Sequence, residues 1–323
     1  MDPKAEHEVF KKIGGAFELP RGFIKVKGPD APDFLHRLSS QDIKSLKPGE
    51  GRPGALLQSN AMIISLFNIY HGGDVFLLVT DQNRAQATTE HLEKFHFSEK
   101  VEIINVTEGM SAISVQGPDV ASQLLKIFNR LPLEEHGNVT TEHGGDEVII
   151  AKENDFKQSG FHLFVRKERF EAMRMRLLTD NLTLFSHDLW ELLRAESDHF
   201  TFGDDIVDKN LVLEAPAEHY VNRDKGCYPG QEVVERVFTY GNVSKKLVGL
   251  RISGEVNAGA KLLSNGKDAG VITSTCLTPW NKTVKALAMV KKPFYEQGQK
   301  LQIADVDVQA EVFQLPHSFE ITK

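Results

Sequence analysis

The pattern of apolar and polar positions predicts two similar strand–turn–helix units. Residues 23–46 alternate like a strand, break at a Gly-Pro-Asp turn and then carry apolar residues at helical spacing. Residues 110–128 repeat this order, including the Gly-Pro-Asp turn. Two such units suggest a duplicated βα element, as in split βαβ architectures. The alternative is coincidence, because Gly-Pro-Asp is common turn chemistry.

The elements between and after these units are hairpins and helices. Residues 64–81 predict two strands joined at Gly72-Gly73, and a second HGGD sequence at 143–146 predicts another hairpin. Residues 82–97, 168–178 and 186–196 have helical spacing, and the last of these segments runs into a polar loop at 197–205. After about Gly241 the chain has short strands separated by glycine-containing turns. We therefore predict an α+β fold that ends in a small all-β domain, a barrel or barrel-like sandwich.

Composition and charge narrow the function classes. The chain has 323 residues, enough for two or three packed units and for clefts between them. Its net charge of -7 argues against broad binding to a phosphate backbone. The two cysteines have no zinc spacing and suit a reducing compartment. The N-terminal residues lack an apolar signal region and the longest apolar run, 61–70, is too short to span a bilayer, so we expect a cytoplasmic protein.

One cysteine lies in an unusual setting, DKGCYPGQEVVERV at residues 224–237. A thiol reacts as thiolate, and nearby cations or a helix start lower its pKa. Arg223 and Lys225 flank Cys227, and a helix is predicted to begin after Pro229. The alternative is an ordinary loop cysteine in a solvated segment of mixed charge, and spacing cannot decide between the two. By contrast, Cys276 lies in a predicted strand and is expected to be inert packing.

The sequence offers little support for other chemistries. His136 and His143 lie in a glycine-containing stretch without the HExxH spacing of zinc enzymes, which favours a surface loop, and we predict no metal site. Phosphate-loop, dinucleotide-binding and serine-hydrolase motifs are absent from the sequence.

The residues around Cys227 carry a resemblance to a known family. The sequence KGCYPGQEVVER, with ALLQSNAMI and LLRAESDHFTFGDD upstream and the β-rich tail downstream, resembles the YgfZ-type folate-binding proteins. These are relatives of the glycine-cleavage T-protein, the tetrahydrofolate-dependent aminomethyltransferase. The resemblance implies a three-domain cloverleaf of the T-protein type. Residues 1–240 would form a folate-binding α+β region of two interleaved subdomains, and residues 241–323 a C-terminal β-barrel.

The resemblance also implies roles for particular residues. Glu196, in LLRAES, matches the glutamate that binds the pterin, because a carboxylate offers two acceptors to adjacent N–H donors. The alternative is a surface glutamate paired with an arginine. Cys227 and Lys225 would be catalytic, beside the folate. The other predicted folate-binding residues belong to the signature and its flanks: Arg223, Gly226, Tyr228, Gln231, Glu232 and Arg236.

One departure from the T-protein pattern affects the expected reaction. The T-protein holds the reacting folate with an aspartate, whereas the corresponding residues 59–70 here contain no acidic residue. Losing a group that positions the substrate or transfers a proton commonly costs a factor of about 10² to 10⁴ in rate. The resemblance therefore argues against the conventional aminomethyltransferase activity.

These observations give one main functional hypothesis and two alternatives. YgfZ-like proteins support iron-sulfur cluster assembly or repair, and so iron-sulfur-dependent tRNA modification. The main hypothesis is that this chain binds tetrahydrofolate and uses Cys227 in that role. Because a cluster usually takes four thiolates, Cys227 would make only transient contact, with iron-sulfur assembly proteins or enzymes as partners and neither nucleic acid nor membrane bound directly. The alternatives are a folate-dependent one-carbon transferase, of aminomethyltransferase or demethylase type, and a non-catalytic scaffold.

Overall fold

The computed structural model describes residues 3–241, 243–276 and 284–315. These residues form two five-stranded sheets with flanking helices, followed by a closed six-stranded barrel. The predicted α+β fold with a C-terminal barrel is therefore confirmed. Parts of the predicted 241–323 unit, residues 242, 277–283 and 316–323, lie outside the described residues. Among the described helices, none has the length and apolar character that crossing a membrane would require.

The two sheets share one plan. The first sheet has the strand order β3 (Gly51–Leu57), β4 (Ile63–His71), β5 (Val75–Asp81), β2 (Arg21–Lys27), β6 (Glu102–Asn105). The second has the order β8 (Asn138–His143), β9 (Asp146–Lys152), β10 (Gly160–Arg166), β7 (Met110–Gln116), β1 (Gly15–Leu19). Each sheet places a meander of three strands next to the strand of a strand–turn–helix unit. The predicted units thus occupy the same place in both sheets, which supports the predicted duplication.

Seven α-helices occur in the described residues: α1 (Pro3–Ile13), α2 (Ala31–Leu38), α3 (Ala85–Lys94), α4 (Val120–Leu124), α5 (Phe170–Thr179), α6 (His187–Glu196) and α7 (Gln231–Tyr240). A short 3₁₀ turn precedes both α3 and α5, at the start of the helices predicted from residue 82 and residue 168. The Ser186 hydroxyl caps α6 by accepting from the Leu189 N–H at 3.3 Å. The sequence did not reveal α1 or β1.

The N-terminal strand interleaves the two sheets. β1 pairs with β7 in the second sheet, yet the next strand, β2, lies in the first. Residues 183–185 also join β1, since the Ala16 N–H donates to the Thr183 carbonyl at 2.8 Å. Aromatic rings then pack between α1, the second sheet and α6, with centroids 4.7 to 5.9 Å apart: Phe10, Phe17, Phe156, Phe185 and Trp190. This cluster attaches the N-terminal segment to the second sheet.

The C-terminal barrel closes where its first strand pairs with its last. Its order is β11 (Lys245–Ile252), β14 (Val284–Lys291), β13 (Lys267–Cys276), β12 (Lys261–Ser264), β15 (Lys300–Ile303), β16 (Gln309–Phe313), and β16 pairs with β11. Closure brings the Phe313 ring against Gly249, where a Cβ would lie 2.1 Å from the ring. Cys276 is buried and its Sγ lies 3.6 Å from the Leu192 carbonyl oxygen. Burial raises the pKa of Cys276 to about 12, which suits an inert packing residue.

The turn of the second strand–turn–helix unit leads to a prediction about stability. Gly117 has φ +130, and a Cβ there would lie 2.2 Å from the Gly14 Cα. Gly117→Ala should lower the free energy of unfolding by about 3 kcal/mol or more, because backbone must move to relieve the contact. Gly144→Ala is the control: φ is +62 with nothing within 4 Å, so the cost should be about 1 kcal/mol. Urea unfolding followed by circular dichroism measures both, and equal losses would contradict the proposed clash.

Candidate functional site

A cavity of about 1120 Å³ lies between the two sheets. Its walls come from β4 and β5 of the first sheet, β10 and residues 153–155 of the second, α6, the loop 199–204 and the turn at 219–220. Aromatic side chains contribute much of the apolar surface: Phe67, Tyr70, Trp190, Phe200, Phe202 and Tyr220. A space of this size can enclose a small-molecule ligand of several rings.

The first polar group at the cavity wall is Glu153, which follows β9 and is almost fully buried. Its carboxylate accepts from Tyr70 Oη at 2.6 Å, from Asn68 Nδ2 at 3.0 Å and from His136 Nδ1 at 3.0 Å. Burial, reinforced by the charge of Glu153, raises the pKa of Tyr70 well above its usual value. Burial alone would lower the pKa of His136, but the charge and hydrogen bond of Glu153 raise it overall.

The second polar group is Asp155, two residues further along the chain. Its carboxylate accepts from Ser114 Oγ at 2.7 Å, from Gln116 Nε2 at 2.8 Å and from His162 Nε2 at 2.7 Å. Burial would raise the pKa of Asp155, but His162 and the hydroxyl of Ser114 hold it below its ordinary value. Strands β7 and β10 thus fix a charged carboxylate beside the cavity, with an imidazole in contact with it.

The third polar group is the pair of Arg21 and Asp81, which face each other across β2 and β5. Arg21 Nη1 donates to Asp81 Oδ1. Burial raises the pKa of Asp81 even though Arg21 opposes the shift. Burial, with the charge of Asp81 adding to it, also raises the pKa of Tyr220 in the same cavity. Six carboxylate side chains among the described residues line the cavity, and none comes from residues 59–70, where the T-protein pattern has its aspartate.

The structure places Cys227 elsewhere. Cys227 is exposed, in the loop before α7, and does not line the cavity. Lys225 is buried: its Nζ donates to the Ser39 carbonyl at 2.6 Å and to the His36 carbonyl, and lies 5.1 Å from the centre of the Tyr228 ring. Burial lowers the pKa of Lys225 to about 8. The expectation that the Cys227 thiol lies beside the cavity is therefore wrong. The catalytic roles of Cys227 and Lys225 stay predictions.

Glu196 also lies away from the cavity. It is the last residue of α6, and its carboxylate accepts from His7 Nε2 at 3.0 Å, with Lys11 Nζ at 3.4 Å. His187, Trp190 and Glu191 of the same helix line the cavity. Glu196 therefore pairs with α1 rather than with an arginine, as the alternative had it, and a pterin contact would need it to change partners.

The remaining signature residues build a turn and a helix start, and none of them lines the cavity: Arg223, Gly226, Tyr228, Gln231, Glu232 and Arg236. Arg223 Nη2 donates to Glu235 Oε2 at 2.9 Å on α7. Gly226 has open space around it, whereas Gly230, with φ +83, packs so closely that a Cβ would lie 2.6 Å from the Gln58 carbonyl oxygen. The backbone at Gly230 therefore packs directly against the backbone that follows β3. Their folate-binding roles stay predictions.

Sequence reasoning missed the residues that surround the cavity. Asp81, Glu153 and Asp155 each lie at or just beyond the end of an apolar strand, where polar side chains mark the edge of a sheet. Their position at the end of a strand was the only feature of the sequence that could have indicated a site. It does not reveal that the ends of β5 and β9 meet, because the meeting depends on how the two sheets pack.

Two interleaved α+β sheets around a polar cavity, followed by a β-barrel, define a fold of the T-protein class. Comparison with known proteins agrees: residues 3–225 match the GCVT N-terminal domain, and residues 245–317 match the glycine cleavage T-protein C-terminal barrel domain. The chain belongs to the glycine-cleavage T-protein family, that of the folate-dependent one-carbon transferases.

Individual relatives align with nearly the whole chain. The chain is 28% identical over 320 residues to an aminomethyltransferase of Rubrobacter xylanophilus, covering 97% of this chain and 85% of the relative. It is 26% identical over 323 residues to one from Thermosipho melanesiensis, covering 97% and 88%. The crystal structure of the glycine cleavage system aminomethyltransferase T from Bartonella henselae superposes with a TM-score of 0.87 at 23% identity, covering 98% and 90%, which supports the fold. The YgfZ-type subfamily stays a prediction.

His199 at the cavity wall leads to a prediction about pH. Burial lowers the pKa of His199 to about 4, against an ordinary 6.5. Between these values the unfolded chain binds a proton that the folded chain does not, so stability falls as pH falls through this window. From about pH 7 to about pH 5, wild type should lose about 2 kcal/mol more than His199→Gln. Urea unfolding at the two pH values measures the difference.

The matched control for this prediction is His143→Gln, in the β8–β9 hairpin. It should show the same pH dependence as wild type. If His199→Gln and wild type lose equal stability on acidification, the buried neutral imidazole is the wrong explanation.

Proposed function

We propose that this protein binds a reduced folate in the cavity between its two sheets and takes part in one-carbon transfer of the aminomethyltransferase or demethylase type. The observation that carries the proposal is the set of carboxylates at the walls of one large cavity, in a chain of the T-protein family. For the cavity itself, the transferase alternative fits better than the iron-sulfur hypothesis.

The residues around the cavity fit a folate. A pterin is a flat ring with adjacent N–H donors, so it needs carboxylate acceptors and apolar walls. Asp81, Glu153 and Asp155 supply acceptors, and Trp190 and Phe200 supply flat apolar surface. When bound, tetrahydrofolate supplies the ring nitrogen that carries a one-carbon unit.

The chain itself would supply the proton transfers. Burial raises the pKa of Asp81, and Asp155 contacts the imidazole of His162, so the cavity contains a carboxylate of increased proton affinity and a carboxylate–imidazole pair. Groups of this kind move protons to and from reacting amines. They come from other segments than the missing aspartate, so a one-carbon transfer here would use an active site arranged differently from that of the T-protein pattern.

Folate binding is measurable through tryptophan fluorescence. The chain has two tryptophans, and Trp280→Phe leaves only Trp190, which lines the cavity. Titration of this variant with tetrahydrofolate should quench its emission. Asp81→Asn should weaken the affinity about tenfold to a hundredfold, because a hydrogen bond to a charged group contributes about 1.5 to 3 kcal/mol.

Two further variants make the titration decisive. Asp74→Asn, in the exposed β4–β5 turn, should leave the affinity unchanged. Glu196→Gln tests the pterin role implied by the resemblance: binding at the cavity predicts no change, and a loss as large as that of Asp81→Asn would move the pterin site to Glu196. Failure of the wild-type protein to bind any tetrahydrofolate form would refute the proposal.

A second candidate function rests on the exposed thiol. Cys227 lies on the surface, where a partner protein can reach it, and the ammonium group of Lys225 two residues away has a pKa of about 8. Such a thiol suits transient contact with an iron-sulfur protein, which is the role implied by the YgfZ-type resemblance. In this view the cavity and the thiol are two sites on one protein.

The two cysteines should differ in reactivity. In the native protein a thiol reagent should modify Cys227 rapidly, since it is exposed, and Cys276 only after unfolding, since it is buried. Cys227→Ser should abolish the fast labelling, leave the tetrahydrofolate titration unchanged and lower the activity of iron-sulfur enzymes in cells that depend on this protein. A Cys227→Ser variant with full cellular activity would favour the scaffold alternative.

A further inference from the structure

A group of potential metal ligands lies at one wall of the cavity. Glu135, His136 and Glu153 each offer a ligand atom, and these atoms all lie within 4.8 Å of one another. All three residues line the cavity. We propose that these side chains bind one divalent first-row transition-metal ion. No metal site was predicted from the sequence, because His136 was considered together with His143, whereas its neighbour in space is Glu153.

The spacing of two of the ligand atoms already suits an ion. His136 Nδ1 lies 3.0 Å from Glu153 Oε1 and 3.1 Å from Glu153 Oε2. Two ligands at right angles on an ion with bonds of about 2.1 Å lie about 3 Å apart. The ion would therefore replace the proton that His136 and Glu153 share, and only Glu135 would have to move closer.

Neighbouring groups hold these ligands in place. Tyr70 Oη and Asn68 Nδ2 each donate to one oxygen of Glu153. The backbone N–H of Asn154 donates to Glu135 Oε1 at 3.3 Å, and its side chain donates to the other oxygen. The loop itself is fixed to β9, because the His136 N–H donates to the Lys152 carbonyl at 2.9 Å. Hydrogen bonds that orient carboxylate ligands in this way are typical of metal sites.

The charge of the cluster and the chemistry of its ligand atoms indicate which class of metal ion it would bind. Two carboxylates and one imidazole give the cluster an excess of negative charge, and neither carboxylate has a lysine or arginine within ion-pair distance among the described residues. Imidazole favours Zn²⁺, Fe²⁺ and Co²⁺, and carboxylate also suits Mn²⁺, whereas Mg²⁺ prefers oxygen ligands alone. Three protein ligands leave at least one coordination position for water or a cavity ligand.

The test uses the full-length protein after treatment with a chelator and removal of the chelator. Calorimetric titration with Co²⁺, Mn²⁺ or Zn²⁺ should give one ion per chain, and bound Co²⁺ should develop visible absorption. Glu135→Gln and His136→Gln should each weaken binding at least about tenfold. The matched controls are Glu134→Gln and His143→Gln, which change the same residue types one and seven positions away.

The outcomes separate this proposal from the folate proposal. No stoichiometric binding by the wild-type protein, or equal losses in Glu134→Gln and His143→Gln, would overturn it. Because Glu135 is exposed, Glu135→Gln should keep the fold, and near-ultraviolet circular dichroism checks that it does. The titration contains no folate, so metal binding is measured whether or not the cavity accepts tetrahydrofolate.

Discussion

The buried ion pair between Arg194 and Asp205 connects the cavity to the barrel. Arg194 Nη1 lies 2.9 Å from Asp205 Oδ2, with side chains 4% and 0% exposed, and it also donates to the His199 carbonyl at 2.9 Å. Asp205 in turn accepts from Thr201 N and from Thr273 Oγ1 on β13. The loop 199–204 therefore takes its shape from charges that cannot reach water. Removing one partner of such a pair typically costs about 3 to 5 kcal/mol, because the other charge stays buried.

The interleaving of the sheets determines where the cavity forms. The chain passes from β1 in the second sheet to β2 in the first through Leu19, Pro20 and Arg21, and all three residues line the cavity. A duplicated pair of sheets without this crossover would be two separate units. Because β1 belongs to one sheet and Arg21 to the other, the Arg21–Asp81 pair and the carboxylate of Asp155 both face the cavity. The position of the cavity thus follows from the path of one N-terminal strand.

The sequence could predict those structural features whose physical cause lies within a few neighbouring residues. Strand alternation, helical spacing and glycine turns predicted the strand–turn–helix units, α6 and the barrel, because these patterns act within a few residues. Helix α1 was missed because Phe10 alone is fully buried among its charged residues. The cavity residues were missed because their meeting depends on sheet packing. Glu196 was assigned to the folate site, yet the part of α6 that lines the cavity presents Trp190 and Glu191, and sequence alone does not fix that orientation.

The separation of the thiol from the cavity still leaves a physical connection between them. Lys225 Nζ donates to the Ser39 carbonyl. The hydroxyl of the next residue, Ser40, donates to the Tyr220 carbonyl at 2.7 Å, and Tyr220 lines the cavity. The Asn222 N–H also donates to the Ser40 carbonyl at 2.9 Å. A series of contacts like this one transmits the effect of ligand binding only under one condition. The connecting residues must have two arrangements, and the ligand must favour one of them over the other. The buried ammonium group, held by two carbonyls, opposes such movement, because leaving them would strand a charge in the interior. The structure therefore favours a thiol and a cavity that behave independently over a single coupled centre.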